Sequence, residues 1–345
     1  MKNIVLYRVR LYVTLALLNI GYNVDAQDIH FSMFNESPML TNPASTGDFV
    51  GDHRVIMNYR QQWAAVAIPY TTYAFHYDGN YFRNNRTKEN RLGIGVTGYS
   101  DKAGDSEMGV SQLLLNLSYF KQLKQKHVVS VGFQGGVSQR SIAYEKLTWG
   151  NQYDGSGYNS QLDPMEPIPN QSFMYGDVAC GLNWRYEQNR FLKTQLGVSM
   201  YHLNPIQMEY VSGFEEQLDR NITVHGGLEY MVKNTSTSFL PGFLYRRQGK
   251  ASELLFGGLI KYQLPENGRY NGNIMEQYIA MGSYYRWKDA FVLAFIYSYK
   301  NVKMVFSYDV NDSGISAVSN GRGAFELTLA YHTPYQRRYS GSSLL

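Results

Sequence analysis

Apolar and polar residues alternate with a period of two along most of this chain, which restricts it to strands whose two faces meet different surroundings. Near the C-terminus Phe325, Leu327, Leu329 and Tyr331 alternate with Glu326, Thr328, Ala330 and His332. Val129, Val131 and Phe133 alternate with Ser130, Gly132 and Gln134, and Tyr73, Phe75 and Tyr77 with Ala74, His76 and Asp78. Leu113 to Tyr119 and Val178 to Tyr186 repeat the pattern. It marks strands near 53–62, 70–79, 91–100, 109–122, 127–139, 173–187, 193–203, 222–232, 238–248, 251–263, 275–287, 290–299, 302–310 and 323–332. Their number is about fourteen, and even, and several reach the length a tilted strand needs to cross a bilayer. No comparable helical period competes.

The connections alternate in length. With the N-terminus placed in the periplasm, the turns on that side, such as 123–126, 188–192, 233–237 and 300–301, are short. Those on the other side include 140–172, 204–221 and 311–322, the longest in the chain. Short inner turns and long outer loops are the pattern of transmembrane barrels, to which 264–274 is an exception. Aromatic residues at strand ends (Tyr99, Tyr119, Trp149, Trp184, Tyr201, Tyr230, Trp287, Tyr299, Tyr308 and Tyr331) suit interface girdles. A soluble sandwich also alternates, but strand length, strand number and the N-terminal leader favour the membrane.

That leader is the basic stretch with Lys2, Arg8 and Arg10, the apolar run Leu11 to Ile20 and small residues up to Ala26. It reads as a signal peptide over 1–26, too short to span a bilayer, and implies export; together with the barrel pattern it makes an integral outer-membrane protein the expectation. The remaining chain divides into an irregular segment (27–52), one barrel (53–332) and a tail (333–345), with no linker composition. Net charge is only +4, too mild for a nucleic-acid partner. The lone Cys180 excludes an internal disulfide and shares a face with Val178 and Leu182.

Chemistry-bearing motifs are weak. Gly93-Ile94-Gly95-Val96-Thr97-Gly98 has dinucleotide-fingerprint spacing but lies inside a strand with no helix after it; glycines facing a crowded lumen explain it better. Asp309-Val310-Asn311-Asp312-Ser313-Gly314 resembles half a calcium loop, with Asn320 where the bidentate Glu belongs. Seven histidines are scattered singly, without ligand spacing. The expectation is therefore no enzyme, no metal and no cofactor. The loop 141–171, with Leu147 to Tyr158 followed by Pro164, Pro167 and Pro169, suits either a recognition surface or a lid; Trp149, Tyr153 and Tyr158 are its candidate partner contacts.

One ordered set of short motifs carries a resemblance. Gln27-Asp28-Ile29-His30-Phe31-Ser32, Pro38, Asn42-Pro43-Ala44 with Gly47, and Tyr59-Arg60-x-Gln62-Trp63 open it. Leu147-Thr148-Trp149-Gly150-x-Gln152-Tyr153, then Phe306-Ser307-Tyr308-Asp309, Ser316 and Gly323-Ala324-Phe325-Glu326-Leu327-Thr328-Leu329 complete it. In this order the set resembles the PorP/SprF family of type IX secretion outer-membrane proteins over nearly the whole chain after the leader. The offset of Pro38 from Asn42-Pro43, and Phe325 where a His usually precedes the Glu, depart from the pattern and bear on the branch.

The resemblance implies an outer-membrane barrel of a Bacteroidota-type cell. It implies work with type IX secretion subunits and with a secreted surface protein, such as a gliding adhesin, whose C-terminal sorting domain is exported or held. Outer-membrane lipids would be its other partners. The physics of the backbone adds a role for residues 27–52: Pro38, Asn42 and Pro43 impose irregular structure, tolerated at membrane depth only inside protein or a wet cavity, so a plug or hatch is expected. Tyr59, Arg60, Gln62 and Trp63 are expected to anchor the outer end of the first strand, Tyr59 facing out and Arg60 in. The alternatives are a channel or hydrophobic-ligand transporter with an N-terminal hatch, and a scaffold for periplasmic components.

Overall fold

The computed structural model describes residues 28–64, 68–82, 90–165, 172–211, 214–264, 277–314 and 319–333. The leader (1–26), most of 264–274 and all but the first residue of the tail fall outside them. The strands are β1 (His53–Gln62), β2 (Tyr70–Tyr81), β3 (Arg91–Ala103), β4 (Met108–Lys124), β5 (His127–Ser141), β6 (Ser172–Asn189), β7 (Leu192–Tyr201), β8 (Gln207–Val211) and β9 (Phe214–Gln217). They continue with β10 (Asn221–Met231), β11 (Thr237–Gln248), β12 (Ala251–Gln263), β13 (Tyr278–Arg286), β14 (Ala290–Tyr299), β15 (Val302–Asn311) and β16 (Arg322–His332). β8 and β9 pair antiparallel only with each other; the other strands pair antiparallel in one ring, β7 with β10, and β1 closes on β16, with Tyr59 opposite Leu327 and Arg60 opposite Glu326. The result is a closed barrel of fourteen strands.

Closure removes the unpaired strand edge, so each strand finds both its neighbours within the wall. Period two then sorts side chains between exterior and lumen. On β4, Leu113, Leu115, Leu117 and Tyr119 are exposed outside, whereas Gln112, Leu114, Asn116, Ser118 and Phe120 are buried inside. An exposed apolar surface running round a whole barrel requires an apolar cover. The lumen has two unlike walls: inward positions of β2 to β7 are largely polar or glycine, but those of β14 (Val292, Ala294, Ile296) are as apolar as its exterior. With Leu244, Leu255, Leu259, Tyr284 and Val305 they form a core that takes in Met33 and Phe34.

Several expectations are corrected. Tyr99 shares its inward parity with Gly95 and Thr97, and Tyr201 is buried inward beside Ser199, so neither belongs to an exterior girdle. Trp149 lies in a loop, its ring 5.6 Å from that of Tyr144. Gly98 faces outward, unlike Gly93 and Gly95. The loop 204–221 contains the β8–β9 hairpin, whose Ile206, Met208 and Leu218 pack on Phe173 and Tyr175.

Candidate functional site

Residues 28–52 run through the lumen from the long-loop end to the short-turn end, where β1 begins. Asp28 therefore sits at the end opposite the first residue of β1, which corrects the expectation of an N-terminus on the short-turn side. Asp28 meets His202, Asn221 and Gln248, all at the long-loop ends of their strands or just beyond. At the other end Gly51 O accepts from Asn80, and Thr333 O accepts from the Asp52 amide.

Proline chemistry shapes the middle of this path. Pro38 occupies the first position of a helical turn, Pro38–Thr41, where its missing N–H costs nothing. Asn42, preceding a proline, is extended (φ −159°, ψ 118°) and ends that turn. Its side-chain oxygen accepts from Ala44 N at 2.9 Å, which starts the next turn, Pro43–Ser45. Its amide nitrogen donates to Leu182 O at 2.9 Å and lies 3.1 Å from His225 Nε2.

The Asn-Pro-Ala turn rests directly on strand backbone. A Cβ at Gly132 would lie 2.2 Å from Ala44 N, one at Gly181 2.0 Å from Asn42 Oδ1, and one at Gly93 2.2 Å from Thr46 O. Gly47 then turns the chain at φ 76°, a region costly for a residue with a Cβ. Irregular backbone leaves carbonyls unpaired, and wall side chains supply the donors. Ser199 donates to Thr41 O (2.7 Å), Ser130 to Ala44 O (2.8 Å), Ser118 to Thr46 O (2.5 Å) and Gln134 to Met39 O (3.1 Å). At about 1 kcal/mol net for each buried bond, these inward polar residues offset only a small part of the entropy of ordering the segment, and burial and the ion pairs must supply the rest.

Three groups of buried charge hold it. Toward the short-turn end Asp48 pairs with Arg91 (3.3 Å) and Arg185, while Arg54 pairs with Asp78 at 2.6 Å and Asp78 also accepts from Gly47 N at 2.7 Å. Higher up, Arg60 pairs with Glu326 at 3.0 Å and donates to His30 O at 2.9 Å. Glu326 accepts from the amides of Ser32 (2.7 Å) and Met33 (3.2 Å), and Ser32 Oγ donates to Asp309 at 2.8 Å. Arg286 completes this group by pairing with Asp309 (3.1 Å) and Glu253 (3.2 Å). At the long-loop end His202 donates from both ring nitrogens, to Asp28 at 2.7 Å and to Asp177 at 3.0 Å.

Burial disfavours a charged His202, but the Asp28 charge and the hydrogen bonds of Asp177 and Asp28 outweigh it and push its pKa up to about 10. Burial likewise opposes ionisation of Asp28, yet the His202 charge and its hydrogen bonds hold that carboxyl well below its ordinary value. The sign of the linkage follows. A raised histidine stabilises fully below its free value of 6.5 and loses that contribution as pH rises through about 10, whereas a lowered aspartate stabilises above 3.8 and fails in acid. Hydrogen exchange at residues 28–31, referenced to His202→Gln, is expected to show protection greatest between these limits and declining toward pH 10. A ratio independent of pH rules the tether out.

Of the other sequence candidates, Tyr59 faces out and packs on Tyr73 at 5.2 Å, Gln62 pairs in register with Tyr70 and Ala324, and the Trp63 ring meets Tyr70 at 4.8 Å. Arg60 instead turns inward to the segment. In the loop after β5, Gln152 is buried and ties Trp149 to Leu162 through its amide, leaving Tyr153 (63% exposed) and Tyr158 (56%) bridged at the tip. The structure thus joins Tyr153 with Tyr158 and sets Trp149 apart as a half-buried support. The Asp28–His202–Asp177 bridge and the Ser32–Glu326 contact escaped the sequence reading. Inward parity of charged strand residues was the available signal for Asp177 and Glu326.

Residues 23–331 match the family model described as type IX secretion system membrane protein PorP/SprF. No curated protein sequence matches the chain. Among solved structures it is similar to the Pseudomonas putida toluene transporter TodX, at 8% identity over 86% of this chain and 92% of that one, TM-score 0.45. It is also similar to a Pseudomonas aeruginosa FadL homologue (8% identity, 86% and 94%, TM-score 0.41) and to the KdgM porin (9% identity, 80% and 98%, TM-score 0.35).

Proposed function

The chain belongs to the PorP/SprF family of type IX secretion system membrane proteins, and from that premise we propose that it is a non-enzymatic outer-membrane barrel that docks, helps export or anchors a secreted surface protein through its C-terminal sorting domain. A gliding adhesin of a Bacteroidota-type cell fits that description. The observation that supports the reading is the course of residues 28–52 through the lumen, where they would act as a plug and leave recognition to the outer loops. Pro38, Asn42 and Pro43 give the plug its shape. Removal of the signal peptide at 1–26 would precede its seating in the barrel.

Tyr153 and Tyr158 present aromatic area at the tip of a loop braced by Gln152, the arrangement that makes a binding hot spot. Replacing both by Ala is expected to cost about 2 kcal/mol or more of partner affinity, roughly thirtyfold, with the barrel intact. Trp149→Ala acts instead on loop order. The test is gentle solubilisation after mild crosslinking, with mass spectrometry of what co-purifies and heat-modifiable migration as the folding control. A large secreted protein with a sorting domain, or secretion-system subunits, supports the reading; capture unchanged by the double variant removes the loop from it. The second reading, a channel or hydrophobic-ligand transporter with a hatch, draws on the cavity left beside the segment. Solute flux through the intact protein would favour it.

A further inference from the structure

A cavity of about 800 Å³ lies between residues 33–50 and the β10–β15 wall, in the short-turn half of the barrel. One side is apolar: Phe34, Leu240, Leu259, Tyr284 and Ile296 line it. Toward the mouth the lining carries both signs of charge, Lys193, Arg185, Lys303 and Lys300 with the carboxylates Glu229, Asp48 and Glu36. Glu229, Asp48 and Glu36 pair the first three, but Lys300, in the β14–β15 turn 5.2 Å from the Tyr299 ring, has no acidic partner among the described residues. An apolar floor below an incompletely neutralised basic rim matches a chain with an acidic head.

The wall beside the cavity has a defect. The β10–β11 ladder pairs Gly227 with Gly242 and resumes at Tyr230 with Phe239, and between them stands Pro241, which has no N–H to give. Glycines concentrate around it: Gly226, Gly227, Gly242, Gly257 and Gly258 occupy adjacent strands. The cavity is lined both by Gly227 and Glu229, which face the lumen, and by Gly226, Leu228 and Pro241, which alternation places on the exterior. Outside, the seam is flanked by the exposed Leu196, Phe239 and Phe243. The cavity therefore backs onto this seam from inside, and the side chains that cover the seam outside are apolar.

We propose that this cavity binds a free long-chain fatty acid, its carboxylate at the basic rim and its chain on the Phe34–Leu259 floor, with passage through the β10–β11 seam at Pro241. Binding of this kind does not depend on the docking role proposed above. The probe is dansyl-labelled undecanoic acid, titrated against the full chain in nanodiscs, with partner capture as a parallel readout. Saturable binding displaced by palmitate more strongly than by hexadecanol is expected. Leu240→Trp, which fills the floor, should weaken it about tenfold while migration and partner capture stay unchanged. Lys300→Glu should weaken it severalfold, and Pro241→Val, which restores a ladder N–H, should slow association. Absence of saturable binding, or equal binding by Leu240→Trp, overturns the site. Displacement by phosphatidylglycerol but not by palmitate overturns the free acid in favour of a membrane lipid, and an association rate unchanged in Pro241→Val overturns the seam as the route.

Discussion

Chains lacking residues 28–50 are expected to form barrels that conduct ions in discrete steps across planar bilayers, where the intact protein shows none. The expectation follows from what the segment covers. Its removal exposes a ring of inward polar and charged groups, among them Arg54, Asp78, Arg60, Glu326, Arg286 and Asp309, that are buried in the intact lumen. Water entering a fourteen-stranded barrel would solvate them, as it does in open porins. The cavity already present beside the segment covers part of the route, so a block by the segment would lie mainly in the long-loop half, around Ser32, Arg60 and Arg286. Steps of equal size with and without the segment would remove the plug assignment, as would a deleted barrel that folds and stays silent.

The barrel was legible because an exterior apolar belt must alternate with whatever lies inside, so β1, β5 and β16 announce themselves residue by residue. Strand ends were less so: β4 and β6 run on to Lys124 and Asn189, each two residues past the expected end, since backbone pairing continues after the apolar pattern stops. Parity, applied strictly, would have turned Tyr99 and Tyr201 inward; their residue type had suggested a girdle. The β8–β9 hairpin stayed hidden because its order comes from packing on Phe173 and Tyr175, which no local pattern records. The inward direction of Arg60 could be read, but its partners could not. Glu326 and Ser32 are 294 residues apart, and His202 and Asp28 are 174 apart, contacts that only closure of the barrel creates. Likewise, glycine at Gly93, Gly132 and Gly181 has its reason in the Asn42–Thr46 turn pressed against them, not in strand geometry.

Glu326→Ala is expected to release the start of the segment, at a cost of about 3–5 kcal/mol, because it leaves a buried cation without its principal partner. Glu326 is 3% exposed, and its two oxygens serve Arg60, the amides of Ser32 and Met33, and the Ser307 hydroxyl at 3.2 Å. With the carboxylate gone, Arg60 keeps Asp309 only at 3.9 Å, and two backbone donors lose their acceptor. Glu326→Gln keeps an acceptor oxygen without the charge and should cost less, about 1–3 kcal/mol. Hydrogen exchange at Ser32 and Met33 reads the difference, with protection falling on the order of a hundredfold or more for Ala and far less for Gln. Arg60→Ala combined with Glu326→Ala should cost less than the sum of the single changes, since the second removal takes away the unpaired charge left by the first. Additive losses, or equal losses for Ala and Gln, would mean that the ion pair does not hold the segment and that the apolar contacts of Met33 and Phe34 do.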